Sequence, residues 1–333
     1  MEHPIVRYLP YQPHCFAFGG FELQMLSTYN AVKSTGLNIQ KMDVWDRDDK
    51  FNILHCWGLG LGNYENVFWA RKSKKKVVVT ALSTHFETLK DIVKFNISSL
   101  VYKQRLVKEM AQNVDVLVVL NDLQADIYHK FYKVPKSKIR IIPNIVNDAF
   151  FNLRDKAMNS GNNDYLLCVG NICARKNQVL LASACAEKNI PLVLIGKTIP
   201  GEEQYEKRLK AIIENNANIT WINGLKENSD ELVDYFVNCK AFALPSFNEQ
   251  QPISLLEAAI LNKPLIIADL DYAKQKYYKN SFLVNPKSLT SIKNGVQIVM
   301  QNPETYIPDY DLLLNCKDTN VAKSYADIYI NLV

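Results

Sequence analysis

Glycine and proline are scarce in this chain, at 12 and 13 of 333 residues. That excludes collagen-like and low-complexity polypeptides, which need far more of either. No window approaches the roughly 18 consecutive apolar residues of a membrane-crossing helix. The opening MEHPIVRYLP lacks an apolar signal-peptide core, so no signal peptide is expected. The seven cysteines, Cys15, Cys56, Cys168, Cys173, Cys185, Cys239 and Cys316, form no CxxC pair. They read as reduced cysteines of a cytoplasmic protein without a metal framework. The net charge of +5 is only a mild basic excess. It is far from the charge of a nucleic-acid binder, but compatible with nucleotide diphosphates or anionic lipid.

What is present is an ordinary globular composition, 48% hydrophobic and 22% charged. A chain of this length suits two domains of about 150 residues each. Short apolar runs alternate with amphipathic segments. Strands are expected at Leu37–Asp43, Asn52–Cys56, Lys76–Thr80, Val114–Leu120 and Ile139–Ile142, and helices at Glu22–Lys33, Thr88–Gln112 and Leu123–Tyr132. The polar Leu153–Asp164 reads as a linker. After it come strands at Tyr165–Val169, Leu192–Ile195, Ile219–Ile222, Ala241–Leu244 and Leu265–Ala268, with helices at Gln178–Glu187, Glu203–Asn215 and Ser229–Asn238. A last helix, Thr319–Leu332, carries an apolar stripe of Tyr325, Ile328 and Tyr329. Such alternation predicts an α/β architecture of two Rossmann-like domains facing a central cleft, with ligands at the carboxyl ends of the strands.

The stretch Ala241–Pro264, AFALPSFNEQQPISLLEAAILNKP, reads as strand, polar loop and a helix with Pro252 at its first position. Free N–H groups at that helix start suit a phosphate. Glu249 lies in the loop and Glu257 about a turn into the helix. Carboxylates beside an anion site fit a role in accepting hydrogen bonds from sugar hydroxyls; equally, Glu249 can cap the helix and Glu257 face solvent. In VGNICARKNQ, Arg175 and Lys176 stand just before a helix, where they oppose its dipole unless an anion intervenes. Together they can neutralise a leaving diphosphate, or form a solvated basic turn. The run RKSKKK at Arg71–Lys76 suits a solvated face or an anionic membrane surface. His55 ends the ILHCW strand and His85 lies in the loop after the KVVVT strand, and each fits either a cleft or a core position.

Glu249, seven residues and Glu257, within LPS, LEAA and KPLI, resemble the paired-glutamate signature of retaining glycosyltransferases of family 4. The resemblance covers most of the chain and is most specific over residues 165–286. It implies the GT-B fold, with residues 1–155 as an N-terminal acceptor-binding domain. Residues 156–312 would bind the nucleotide-sugar, and residues 313–333 would cross back to the first domain. It implies that Glu249 faces the donor sugar and Glu257 the ribose. Lys176 and Arg175 would meet the diphosphate beside Gly170, Asn171 standing where the family usually has Arg. Gln251, Pro252, Ile253 and Ser254 would present N–H groups, Gly224 and Leu225 would contact the base, and His85 would lie near the donor sugar. Gly19 and Gly20, in HCFAFGGFE, resemble the family's glycine pair that approaches the donor phosphate, or make a plain tight turn.

The function implied is retaining, metal-independent transfer of a sugar from a nucleotide-diphosphate donor to a glycan or lipid-linked acceptor. No cofactor is expected, and the setting would be surface polysaccharide or lipopolysaccharide synthesis, in the cytoplasm or at the inner face of the membrane. Two alternatives are a catalytically silent glycosyltransferase-like binding protein and a nucleotide-sugar 2-epimerase on the same fold.

Overall fold

The computed structural model describes residues 4–15, 19–81, 102–159 and 164–333. The chain forms two compact units, Met1–Ile145 with Asn315–Val333, and Val146–Leu314.

In the first unit β1 (Ile5–Leu9), β2 (Asn38–Lys41), β3 (Ile53–Trp57), β4 (Lys76–Thr80), β5 (Val116–Val119) and β6 (Ile139–Ile141) form one sheet in the order β2-β1-β3-β4-β5-β6. Every pairing is parallel. Successive side chains point to opposite faces, so each strand feeds two cores. Val6, Tyr8, Ile53, Val78 and Val118 join one; Leu54, Cys56, Val77, Val79 and Leu117 join the other. The first core is closed by the Gly20–Lys33 and Asp318–Leu332 helices, the second by Tyr64–Lys72, Tyr102–Asn113 and Asp122–Lys130.

A polar chain runs through the first core. His55 accepts or donates at both ring nitrogens, 2.6 Å from the Tyr329 hydroxyl and 2.8 Å from Thr80 Oγ1. Tyr329 also meets the Tyr8 hydroxyl at 2.6 Å, and Thr80 meets Tyr325 at 3.1 Å. His55 is fully buried. Burial pushes its pKa down to about 3, so the ring is neutral. Its place is the core of the first unit, fastening the C-terminal helix to the sheet.

In the second unit β7 (Leu166–Val169), β8 (Leu192–Ile195), β9 (Ile219–Ile222), β10 (Ala241–Leu244), β11 (Leu265–Ala268) and β12 (Phe282–Val284) lie in the order β12-β11-β10-β7-β8-β9. All are parallel, and the chain winds outward from the adjacent pair β7 and β10 in opposite directions. Such a switch point opens a crevice at the carboxyl ends of its two strands. In the first unit the same reversal falls between β1 and β3.

Several expectations are corrected. The Leu153–Asp164 segment is not simply a linker, because its first part is the helix Arg154–Asn159. Arg154 explains this: its guanidinium lies 3.8 Å from the Tyr310 ring centroid and donates to Asn262 Oδ1 at 2.9 Å, anchoring the segment in the second unit. Pro252 caps the helix Ile253–Ile260 from an extended conformation instead of opening it. Of the expected Thr88–Gln112 helix, the described part is Tyr102–Asn113.

Candidate active site

The loop after β7 begins at Gly170, whose φ of +152° favours glycine. A β-carbon on the neighbouring Gly196 would stand 2.0 Å from the Gly170 carbonyl oxygen, so the loops leaving β7 and β8 touch backbone to backbone. One 3-10 turn, Ala174–Lys176, follows. Asn177 then adopts the left-handed conformation at φ 63° and starts the Gln178–Lys188 helix. Asparagine is one of the few residues that take this geometry at modest cost. Its buried side-chain amide donates to Pro245 O at 3.0 Å and Pro286 O at 2.8 Å, tying the loops after β7, β10 and β12 together. Nothing local in the sequence marks Asn177 as a brace except its place directly after the cations.

Arg175 and Lys176 do not point idly into solvent. Lys176 Nζ lies 2.6 Å from Glu249 Oε1, and Arg175 Nη1 lies 3.0 Å from the same oxygen. Arg175 Nη1 also donates to Asn248 O at 2.7 Å, while Phe247 N donates back to Arg175 O at 2.8 Å. The two cations of one switch-point loop are thus closed on the carboxylate of the other. Glu249 is 8% exposed and Lys176 9%, a buried pair, whereas the Arg175 side chain is half exposed. Glu249 therefore does not cap the helix: the cap is Pro252, which accepts no side-chain bond. The first N–H groups of this helix, including those of Ile253 and Ser254, have no intrahelical partner.

Glu257 is 9% exposed, and its carbonyl accepts from Leu261 N at 3.2 Å within the helix. Burial alone pushes its carboxyl up to about 8. It is a buried acid, not part of a solvated face. Gln251 and Gln275 brace the loop before it, Gln251 Nε2 donating to Gln275 Oε1 at 3.2 Å and Gln275 Nε2 to the Gln250 carbonyl. Gln275 went unread in the sequence because it lies in irregular chain with no pattern to flag it.

Gly224 follows β9 at φ +79°, and the Lys197 methylenes lie across its α-carbon, 2.6 Å from where a β-carbon would sit. Leu225 is next along the chain. Asn171 is exposed, and its carbonyl accepts from Gln178 Nε2 at 2.9 Å. Gly19 and Gly20 lie in the first unit at the start of the Gly20–Lys33 helix, where Glu22 Oε2 accepts from Gly19 N at 2.9 Å. Gly19 is extended, so no turn geometry demands glycine there. His85 lies outside the described residues. Gly170, Asn171, Arg175 and Lys176 in the loop after β7 thus meet Glu249, Gln251 and Pro252 in the loop after β10, and Ile253, Ser254 and Glu257 follow on the helix that this loop enters. Among the described residues, no group of three His, Cys, Asp or Glu could hold a metal ion.

Sucrose-phosphate synthase from Thermosynechococcus elongatus matches with a TM-score of 0.72 at 15% identity, over 99% of both chains. The fold is GT-B. WaaG, a glycosyltransferase involved in lipopolysaccharide biosynthesis, matches this GT-B chain at TM-score 0.62 and 15% identity, over 98% of it and 99% of WaaG. HepE from Anabaena, in complex with UDP-glucose, gives 0.62 at 12% identity over 98% and 96%. Residues 150–307 match the sequence profile described as glycosyl transferases group 1, which supports glycosyl transfer. That span holds every second-unit residue of the candidate site described above. No curated protein sequence matches the chain. Among the described residues, no helix is long and apolar enough to cross a membrane.

Proposed function

We propose that this chain is a retaining, metal-independent glycosyltransferase of the family 4 type, using a nucleotide-diphosphate sugar and a glycan or lipid-linked acceptor. The observation that carries the reading is the closure of Lys176 and Arg175 on buried Glu249, beside the free helix start at Ile253. Two cations held on a carboxylate can exchange it for a diphosphate, which carries more charge and more acceptor oxygens. The C1–O bond to the diphosphate then breaks while Lys176, Arg175 and the N–H groups of Gln251 to Ser254 meet the growing negative charge. Glu249, released, orients the sugar. The acceptor oxygen bonds to C1 on the face the leaving group vacates, and its proton passes to the leaving phosphate. No cofactor takes part. HepE's complex with UDP-glucose supports a donor of this class.

Glu257 supplies the test. Ribose hydroxyls donating to its carboxylate favour the ionised form, whereas the free protein holds it protonated up to about pH 8. Binding at pH 7 should therefore release close to one proton, and affinity should climb about tenfold per pH unit below 8 and then level off. Calorimetric titration of UDP-, GDP-, ADP- and CMP-sugars in two buffers of different ionisation enthalpy reads this directly. One nucleotide class should bind wild type with a buffer-dependent heat, and Glu257→Ala should bind it weakly without that dependence. Silence across the panel would defeat the transferase reading.

We further propose that the first unit meets an anionic membrane surface. Phe68, Trp69 and Tyr102 are 41%, 61% and 73% exposed, and Arg71, Lys72, Lys74, Lys103 and Arg105 share their two helices and the turn after the first. Aromatics enter the headgroup boundary, while each cation adds about 1 kcal/mol near anionic lipid. The protein should co-sediment with phosphatidylglycerol vesicles but not phosphatidylcholine vesicles, and Phe68→Ser/Trp69→Ser should abolish this. Equal sedimentation with both lipids, or with the double variant, would refute it.

A further inference from the structure

The switch point of the first unit's sheet lies between β1 and β3, so the loops leaving those strands border the crevice that such a reversal creates. The loop after β1 carries Tyr11; the loop after β3 reads GLGLGN over 58–63. The glycines answer to the tyrosine. A β-carbon on Gly58 would stand 2.9 Å from Tyr11 Cβ and Cδ2, and one on Gly60 would stand 2.8 Å from Cε2 and 2.9 Å from the hydroxyl. One on Gly62 would stand 3.3 Å from the Tyr11 carbonyl oxygen. The ring is therefore backed along its whole length by bare main chain, from its β-carbon to its hydroxyl. Asn63 holds that main chain in place, its amide donating to Trp57 O at 3.2 Å and Gly58 O at 3.0 Å. Gly58 and Gly60 are buried, yet Tyr11 itself is 43% exposed.

A seated but exposed aromatic ring is a platform, and its chemistry selects the guest. Neither 10–15 nor 58–63 contains Asp, Glu, Lys or Arg. That is the opposite of the second unit's site, which is built around two cations and two carboxylates. The two loops that seat the ring thus offer a charged guest no carboxylate, ammonium or guanidinium of their own. A neutral ring with one apolar face suits them, because it can lie on the tyrosine while its polar edge stays in water. Tyrosine has few rotatable bonds, and this one is already packed against the glycine main chain, so less ordering entropy remains to be lost on binding.

We infer that Tyr11, seated on Gly58, Gly60 and Gly62, is the stacking platform for a neutral pyranose ring of the acceptor, and so a determinant of acceptor choice. This rests on the glycosyltransferase reading above. The seat accounts for Gly60 and Gly62, while Gly58 also takes a φ of +95°, which favours glycine by itself. The seat also places sugar recognition in the first unit on stacking, with no ion pair.

The test is saturation-transfer NMR on the full chain with the methyl α- and β-pyranosides of glucose, galactose and mannose. At least one should show saturation of ring C–H protons on one face. The signal should persist in Tyr11→Phe, fall to background in Tyr11→Leu, and fall in Gly60→Ala, which displaces the ring without removing it. Nucleotide-sugar affinity, titrated in parallel, should be the same in all four proteins. Saturation unchanged in Tyr11→Leu, absent from every pyranoside in wild type, or confined to the base of an added nucleotide-sugar would overturn the inference. The calorimetric panel separates the two failures: a chain that binds nucleotide-sugars but gives no Tyr11-dependent saturation keeps its transferase reading and loses the platform. Nucleotide affinity falling with Tyr11→Leu would show a general loss of structure and also count against it.

Discussion

Lys176→Met is expected to lower the rate of sugar transfer by about 10²–10³-fold, the loss seen when one preorganised charge partner of a transition state is removed. Methionine's sulfur and terminal methyl take the places of the Lys176 Cδ and Cε that lie over Gly170, so the loop keeps most of its packing. What disappears is the ammonium 2.6 Å from Glu249. In the free protein this leaves a carboxylate only 8% exposed, with half-exposed Arg175 as its remaining cation. Breaking a buried pair from one side costs about 3–5 kcal/mol unless the orphaned charge takes up a proton. Lys176→Met should therefore melt lower than wild type. Lys176→Met/Glu249→Gln should regain most of the lost stability while staying inactive. Steady-state kinetics and calorimetric melting of the three proteins check this. A double variant no more stable than the single one would show that the pair is not the element holding the two switch-point loops together.

Removing Asp318–Leu332 is expected to unfold the first unit outright. Those residues place Val321, Ala322, Tyr325, Ala326, Ile328 and Tyr329 in its core. At about 1.5–3 kcal/mol for each fully buried large side chain, the lost burial alone exceeds the margin of a typical domain. Tyr329→Phe isolates the polar part. It strips His55 and Tyr8 of a shared hydroxyl, both bonds being 2.6 Å, and should cost about 1–3 kcal/mol. The pH dependence has a definite sign. His55 titrates near 6.5 when unfolded and near 3 when folded, so the unfolded chain binds the extra proton first. Stability is fully present above about 6.5 and is lost as pH falls towards 3. Thermal melts followed by tryptophan fluorescence at pH 7.5, 6 and 5 should show wild type declining. In His55→Gln the share of the decline due to this ring should vanish.

Five of the six strands of the second unit's sheet were readable almost to the residue. Buried parallel strands are unbroken apolar runs, and Leu192–Ile195, Ala241–Leu244 and Leu265–Ala268 each show one, while the edge strand Ile219–Ile222 is marked by its β-branched and aromatic residues around an exposed Thr220. β1 was not assigned, because Arg7 interrupts its apolar pattern. The cause lies far along the chain, where Asp46 and Asp48 meet the Arg7 guanidinium at 3.5 Å and 3.1 Å. β12 has only three residues, too few for a pattern. The helix Leu289–Gln301 was also missed, and its N-cap Ser288 is the one local signal that could have marked its start. At the site, residue types and spacing marked Arg175, Lys176, Glu249 and Glu257, since charge next to a helix start is visible in one dimension. That Glu249 is the counter-ion of both cations was not visible, because it depends on two loops 74 positions apart meeting at one oxygen. The fate of His55 was equally hidden, its partners lying 25 and 274 positions away.

The hydroxyl pair of Tyr8 and Tyr329 joins positions 321 apart. During synthesis β1 leaves the ribosome long before the helix that covers it, and the whole second unit is translated in between. One face of the first sheet must then stay open until residues 318–332 emerge, while the second unit, contiguous from Val146 to Leu314, can close on its own. The half of the molecule made first is the half finished last. A chain ended after residue 317 and tethered to the ribosome by a linker that spans the exit tunnel should therefore carry a folded second unit and a first unit still sensitive to protease.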